Sequence, residues 1–195
     1  MPKTFYLFLL IATLLVSSNA MAQSRSATFT VEIVPTADLD MTTNNGYCRP
    51  WLESMFVSKR SNRSTYSAML FDLSALPKGA VITAANLQLY GVNTNSHDAR
   101  VYAVPSFDPS TPFNCITVDG LVGPVAWALP TTSGAYIDSP DLTSLMATAD
   151  GGTIGLILTA GEAETGGGKG FRTLEWEGGA YAPRLVVEYQ IGVGR

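Results

Sequence analysis

An all-β domain, a two-sheet antiparallel β-sandwich of jelly-roll-like connectivity, is the fold class this sequence predicts, and three observations predict it. Short runs in which apolar and polar residues alternate recur at close spacing along the chain, the period-2 pattern of half-buried strands. Glycine and proline, 18 and 11 in number, fall between those runs, where turns need them. Threonine occurs 20 times against 4 for lysine and 7 for glutamate, a balance that favours strands and turns over long helices.

The first predicted strand is Ala27 to Val34, with Phe29, Val31 and Ile33 on one face and Thr28, Thr30 and Glu32 on the other. Pro35 ends it. A polar loop is expected through Asn44-Asn45-Gly46. Ser54 to Lys59 and Tyr66 to Leu73 then form a pair of strands about the basic, Ser-rich turn Arg60 to Ser64, with Met69, Phe71 and Leu73 sharing a face. Leu76-Pro77-Lys78-Gly79 is a turn, after which Ile82 to Tyr90 turns Leu87 and Leu89 inward and Gln88 and Tyr90 outward. Arg100 to Val104 is a short strand. Between Pro105 and Pro140 irregular loops surround one strand at Pro124 to Leu129, which carries Trp127. Asp141 to Ala147 reads as one or two helical turns, with Leu142, Leu145 and Met146 on one side and an acidic residue at its start. Thr153 to Thr159, Gly170 to Trp176 and Arg184 to Tyr189 complete the strands. Neither an internal repeat nor an interdomain linker is visible.

The amino terminus predicts export. Lys3 supplies a positive start, Phe5 to Val16 is apolar except for Thr13, and Ala20-Met21-Ala22 is a small-x-small cleavage site. Residues 1–22 are therefore read as a signal peptide cleaved before Gln23, and 23–195 as one domain, secreted to an extracellular or periplasmic space. The apolar run is short of the roughly 20 residues that span a bilayer, so no membrane span is expected. Cys48 and Cys115 are the two cysteines, and in an oxidising compartment such a pair predicts a disulfide. Closing that loop contributes about 4 kcal/mol in the chain-entropy model; two buried free thiols are the alternative. Net charge is −4, and one unit more negative without Lys3, which argues against a phosphate backbone as partner.

Machinery for catalysis is thin. The single histidine, His97, lies between Ser96 and Asp98, and three consecutive residues cannot converge as nucleophile, base and orienting group; a surface position in the 93–98 loop is expected. One His and two Cys make no zinc cluster. The run Gly166 to Gly170 around Lys169 lacks the spacing of a phosphate-binding loop and reads as a flexible turn. Glu162 with Glu164, and Glu175 with Glu177, are acid pairs of the kind glycosidases use, but 16 acidic residues make such pairs inevitable, and Asp72 and Glu175 are expected to be structural, with no second acid at a defined spacing. Asp108, Asp119, Asp138 and Asp141 occupy loops that can hold a structural calcium; no other cofactor is expected.

Sugar recognition needs aromatic faces for pyranose rings and planar polar groups beside them. The candidates are Gln88 and Tyr90 on one strand, Arg172 and Trp176 on another, Arg60 and Arg63 in the basic turn, and Trp51 in a loop. Alternation puts Arg172 and Trp176 on one side of their strand, and if the two strands share a sheet, these join Gln88 and Tyr90 in one patch. Trp51 and Trp127 also fit loop core.

Three blocks resemble the DNRLRE-type domain, a secreted β-sandwich grouped with carbohydrate-binding modules and related to domains attached to disaggregatases and alginate-degrading enzymes. Met69 to Pro77, continuing through Gly79 to Tyr90, is similar to that family's FDLS-x-LP-x-G turn and A-x-L-x-L-Y strand. Pro140 to Leu145 before Gly155 to Leu158 is similar to its D-[VL]-T segment and GLLL-like strand. Phe171 to Glu175, then Ala182 to Tyr189, is similar to F-x-S-x-E and a closing PxLxVxY strand. The resemblance covers about Val34 to Tyr189 and implies the sandwich fold and polysaccharide binding. Leu70 and Leu174 stand where that family often has arginine, so acidic-sugar specificity is not carried across. The expected function is thus a secreted, non-catalytic module for extracellular polysaccharide. A cell-surface or matrix protein using the sandwich for protein contacts is the alternative, and a small polysaccharide-active enzyme a third reading.

Overall fold

A computed structural model describes residues 26–42, 47–49, 52–61, 63–110, 121–149, 152–161 and 167–192. The signal-like segment, Trp51, Cys115, Asp119, Glu162 and Glu164 lie outside them, as does the side chain of Cys48, so the expectations for those residues, the disulfide included, fall outside the described structure. The strands are β1 (Ser26–Ile33), β2 (Ala37–Thr42), β3 (Tyr47–Arg49), β4 (Ser54–Arg60), β5 (Arg63–Asp72), β6 (Val81–Tyr90), β7 (His97–Val104), β8 (Val122–Leu129), β9 (Tyr136–Asp138), β10 (Thr153–Ala160), β11 (Lys169–Arg172) and β12 (Arg184–Gly192), with one short helix, α1 (Thr143–Met146).

They form a two-sheet antiparallel sandwich. One sheet runs β1-β12-β6-β9; the larger runs β11-β4-β5-β10-β7-β8, with β2 also pairing with β5 and β3 with β2. First and last strands are neighbours, Ile33 opposite Leu185 and Val31 opposite Val187, and the chain crosses repeatedly from sheet to sheet, the jelly-roll-like connectivity expected. Gly79, at φ 83°, closes the turn into β6 that Pro77 begins, with the Ala80 N–H donating to the Pro77 carbonyl at 3.0 Å; a left-handed backbone there suits glycine.

The main core lies between the sheets. Leu87, Leu89, Leu185 and Val187 from the smaller sheet meet Met55, Val57, Met69, Phe71, Val101, Leu156, Leu158 and Phe171 from the larger, and none of these twelve is accessible to solvent. Each such side chain contributes about 1.5–3 kcal/mol by leaving water. Helix α1 adds Leu142, Leu145 and Met146, the side expected of it. The outer face of the larger sheet carries a second apolar cluster, Leu39, Met41, Ala68, Val104, Phe107 and Ile157. β10 is thus buried on both faces, which is why its sequence is a continuous apolar run rather than an alternating one.

Four expectations are corrected. The loop expected after Pro35 contains β2 and β3; Asp38 and Asp40 are each 1% exposed, and their carboxylates take backbone donors, Leu174 N–H at 2.8 Å and Phe56 N–H at 3.0 Å, in place of solvent. The proline- and glycine-broken stretch before Pro140 also holds β9, three residues long, beside β6. The strand expected through Trp176 stops at Arg172, and Trp176–Gly179 is a 3-10 turn. His97 is buried, 5% exposed, at the start of β7: it continues the inward row of Ala99, Val101 and Ala103, its Nε2 meets the Gly167 carbonyl, and its Nδ1 has no partner.

Candidate functional site

The outer face of the smaller sheet is built by three strands in register. β6 alternates buried Leu87 and Leu89 with half-buried Gln88 and Tyr90. Gln88 stands opposite Arg184 of β12 on one side and opposite Asp138 of β9 on the other, where Tyr90 also stands opposite Tyr136. Residue 181, just before β12, brings in a third tyrosine. The Tyr90 and Tyr181 rings are 4.4 Å apart at 35°, and the Tyr90 and Tyr136 rings 5.4 Å apart and edge to face. Polar arms frame this cluster. Gln88 donates to Asp138 at 2.7 Å, the Arg184 guanidinium lies 4.6 Å from the Tyr136 ring centre and bridges to Glu32 at 3.2 Å, and the Tyr136 hydroxyl donates to the Ala182 carbonyl at 3.1 Å. Desolvation raises the Tyr136 hydroxyl above its ordinary pKa, so it stays a neutral donor at any physiological pH.

Arg172 and Trp176 meet as expected, by a different route. The chain turns after Arg172, and its guanidinium lies 3.4 Å over the Trp176 ring while donating to Ser54 Oγ at 3.3 Å. β11 and β6 belong to different sheets, but a single bridge pairs Gly91 with Phe171. Tyr90 and Arg172 each lie one residue from that bridge, so Gln88 with Tyr90 and Arg172 with Trp176 belong to different sheets whose edges meet there in a seam. Tyr136 and Tyr181, which no periodic run announces, complete the aromatic set; a tyrosine in an otherwise polar, glycine- or proline-flanked stretch was the signal available.

Arg60 is elsewhere. It stands opposite Arg63 at the β4–β5 turn, and both line a polar cleft of about 360 Å³ with Phe56, Ser58, Asn93 and Asn95. A groove of about 260 Å³ on the outer face of the larger sheet, with Tyr66 and Tyr102 in its lining, contains none of the expected residues that the structure describes.

The acids sort differently from expectation. Asp72 is exposed and accepts from the Ser74 N–H at 2.8 Å, a local turn contact that holds its carboxyl below the usual range. Glu175 has an acidic neighbour in Asp38, whose carboxyl it influences by its charge and by hydrogen bonding; that aspartate is buried inside a segment read as loop. Asp108 accepts from Ser110, Asp138 from Gln88, and Asp141 from the Ala85 and Thr143 N–H groups. Among the described residues no three His, Cys, Asp or Glu side chains gather as for a metal.

No family model matches the chain. No curated protein is a significant match either. Among solved structures it is similar to one titled "Structure of infectious bursal disease virus Gx strain", with a TM-score of 0.31 and 12% identity over 88% of this chain and 33% of that one. The chain thus spans a third of that protein's length.

The segment that carries Trp176 and Tyr181 is tightly turned. Glu177 takes φ 45°, ψ 40°, followed by Gly178 at φ 65° and Gly179 at φ 87°. Left-handed backbone costs a non-glycine residue about 1 kcal/mol, and Glu177 is exposed. Glu177→Gly should therefore raise the melting temperature by about 1–3 °C, read by calorimetry; a fall would mean that the glutamate side chain itself holds the turn.

Proposed function

We propose that this protein is an exported, non-catalytic carbohydrate-binding module that recognises extracellular polysaccharide along the seam of Gln88, Tyr90, Tyr136, Tyr181, Arg184, Arg172 and Trp176. The observation that carries the reading is the aromatic cluster with planar hydrogen-bonding groups at its margin. Pyranose rings present apolar CH faces edged by hydroxyls, and half-buried rings beside amide, carboxylate and guanidinium groups match that chemistry. The rings are held by one another and by Arg172 and Arg184, so little side-chain freedom is lost when a sugar docks. The non-catalytic part rests on the Asp38–Glu175 pair: glycosidase carboxyls stand about 5–10 Å apart across an open cleft, whereas Asp38 is 1% exposed. With an acidic chain, neutral or mildly acidic glycans are the expected ligands. No described helix is long and apolar enough to cross a membrane.

A glycan array probed with residues 23–195 tests the reading, followed by calorimetry on the best ligand. Tyr90→Ala and Trp176→Ala should each weaken binding by about 1–3 kcal/mol, the scale of losing a large apolar contact, or roughly 5- to 150-fold. Arg60→Ala, off the seam, should leave it unchanged. Glycan binding that survives both aromatic substitutions in folded protein removes the seam from consideration, and release of reducing ends from a glycan would replace the module with an enzyme.

A further inference from the structure

We infer that Asp38 and Glu175 form a proton-sharing clamp that holds the aromatic loop 173–182 in its sugar-binding position and loosens it as the medium turns alkaline, an inference that rests on the glycan-binding reading of the seam. Asp38 is the anchor. It lies on β2, 1% exposed, and its Oδ2 accepts the Leu174 N–H at 2.8 Å. Its Oδ1 is buried without a partner able to donate, yet the Glu175 carboxyl lies within hydrogen-bonding reach. Two ionised carboxylates repel at such a contact and leave that oxygen orphaned; one proton between them converts the repulsion into a hydrogen bond. Glu175 is exposed, so the proton exchanges with solvent without the loop having to unfold.

Among the described residues, the charged groups around Asp38 are otherwise engaged or exposed. On the loop, Glu177 is exposed, and Arg172, just before the loop, is turned over the Trp176 ring and towards Ser54. On β2, Asp40 accepts the Phe56 N–H. On β5, the residue opposite Asp38 is Met69, and the acid of that strand, Asp72, is exposed and bound to Ser74. Glu53, before β4, is exposed. Among the described residues, Glu175 is the charge that acts on Asp38.

Desolvation, first, and the Glu175 charge, second to it among the raising influences, lift the Asp38 carboxyl from 3.8 to about 7, against the lowering effect of the Leu174 N–H. The folded state therefore keeps a proton that the unfolded chain has already lost, so stability declines as pH rises from about 3.8 to about 7 and is flat above. The strain is applied one residue from Trp176. The loop's further anchors, the Thr173 hydroxyl on the Leu52 carbonyl and Ala182 on the Tyr136 hydroxyl, keep it attached while its middle shifts.

The test follows the Trp176 indole N–H resonance by NMR, assigned with Trp176→Phe, from pH 5.5 to 8.5, alongside glycan affinity. A titration centred near 7 is expected in the unaltered protein, with affinity falling roughly fivefold or more across it. Glu175→Gln removes the opposing charge and offers Asp38 a donor, so it should move both changes to lower pH at unaltered affinity below pH 6; Asp38→Asn, the second variant, should abolish them wherever it folds. A Trp176 resonance that does not titrate, or that titrates equally in Glu175→Gln, overturns the clamp. So does full restoration at pH 8.5 by millimolar calcium chloride, which would make the pair a cation site. If Trp176 titrates as expected and no glycan binds at any pH, the clamp stands and the glycan reading fails.

Discussion

Lys169→Ala should lower the melting temperature by roughly 10 °C, on the order of 3–5 kcal/mol in a domain of this size. Lys169 is wholly inaccessible at the start of β11, and its Nζ donates to the Asn93 carbonyl at 2.7 Å and the Thr132 carbonyl at 2.6 Å. One ammonium thus ties the loop after β6 to the loop before β9. Desolvation lowers its pKa from 10.5, so over the window just below that value the unfolded chain holds the proton more tightly and stability rises with pH, while at neutral pH the desolvation cost is fully present. That cost is outweighed because removing the side chain leaves two carbonyls without their donor and a cavity beside Gly91, where an added Cβ would already stand 2.7 Å from the Thr132 oxygen. Lys169→Met separates the two contributions: it refills the space but not the hydrogen bonds, and should cost about 1–3 kcal/mol. An unchanged melting temperature for Lys169→Ala, by calorimetry, would mean that water serves both carbonyls equally well.

Lysine at this position also shows where sequence reading runs out. The glycine run around it reads as a flexible turn, yet Gly170 is a close-approach position, where a Cβ would stand 2.7 Å from both Phe56 and Val92, and Lys169 is a structural tie. Alternation and turn chemistry made β1, the β4–β5 pair, β6, β8, β12 and the α1 segment legible, and a continuous apolar run made β10 so, because their inward residues are apolar and their ends are marked by proline or glycine. β2 was not legible because its inward positions are Asp38 and Asp40, whose burial depends on backbone donors sixteen and more than a hundred residues away. His97 failed in the same way: an imidazole at an inward position cannot be told from a loop histidine without the Gly167 carbonyl that meets it. In the candidate site, Gln88 and Tyr90 followed from period-2 alternation. Arg172 and Trp176 were paired by an alternation that the chain does not keep, and they meet because the backbone turns. Tyr136 and Tyr181 join them only through sheet order, which no local pattern encodes.

Phe171→Ala should cost about 3–5 kcal/mol and, unlike other core truncations, should also weaken glycan binding in molecules that remain folded. Phe171 is wholly inaccessible, in a strand of four residues that pairs with β4 through Lys169 to Arg172 and meets the end of β6 through the bridge to Gly91 and the Val92 N–H donating to the Gly170 carbonyl at 3.0 Å. That bridge is where the two sheets meet and where Tyr90 and Arg172 come to one seam. Phe71 is equally inaccessible, in the middle of the larger sheet on β5, and its truncation should cost a similar amount while leaving the seam in place. Comparing the two variants by calorimetry well below their melting temperatures therefore isolates position from stability: binding should fall for Phe171→Ala and hold for Phe71→Ala. Equal binding by both would show that the Arg172–Trp176 pair keeps its place without the bridge, and the seam would then be two separate surfaces, each answering to its own sheet.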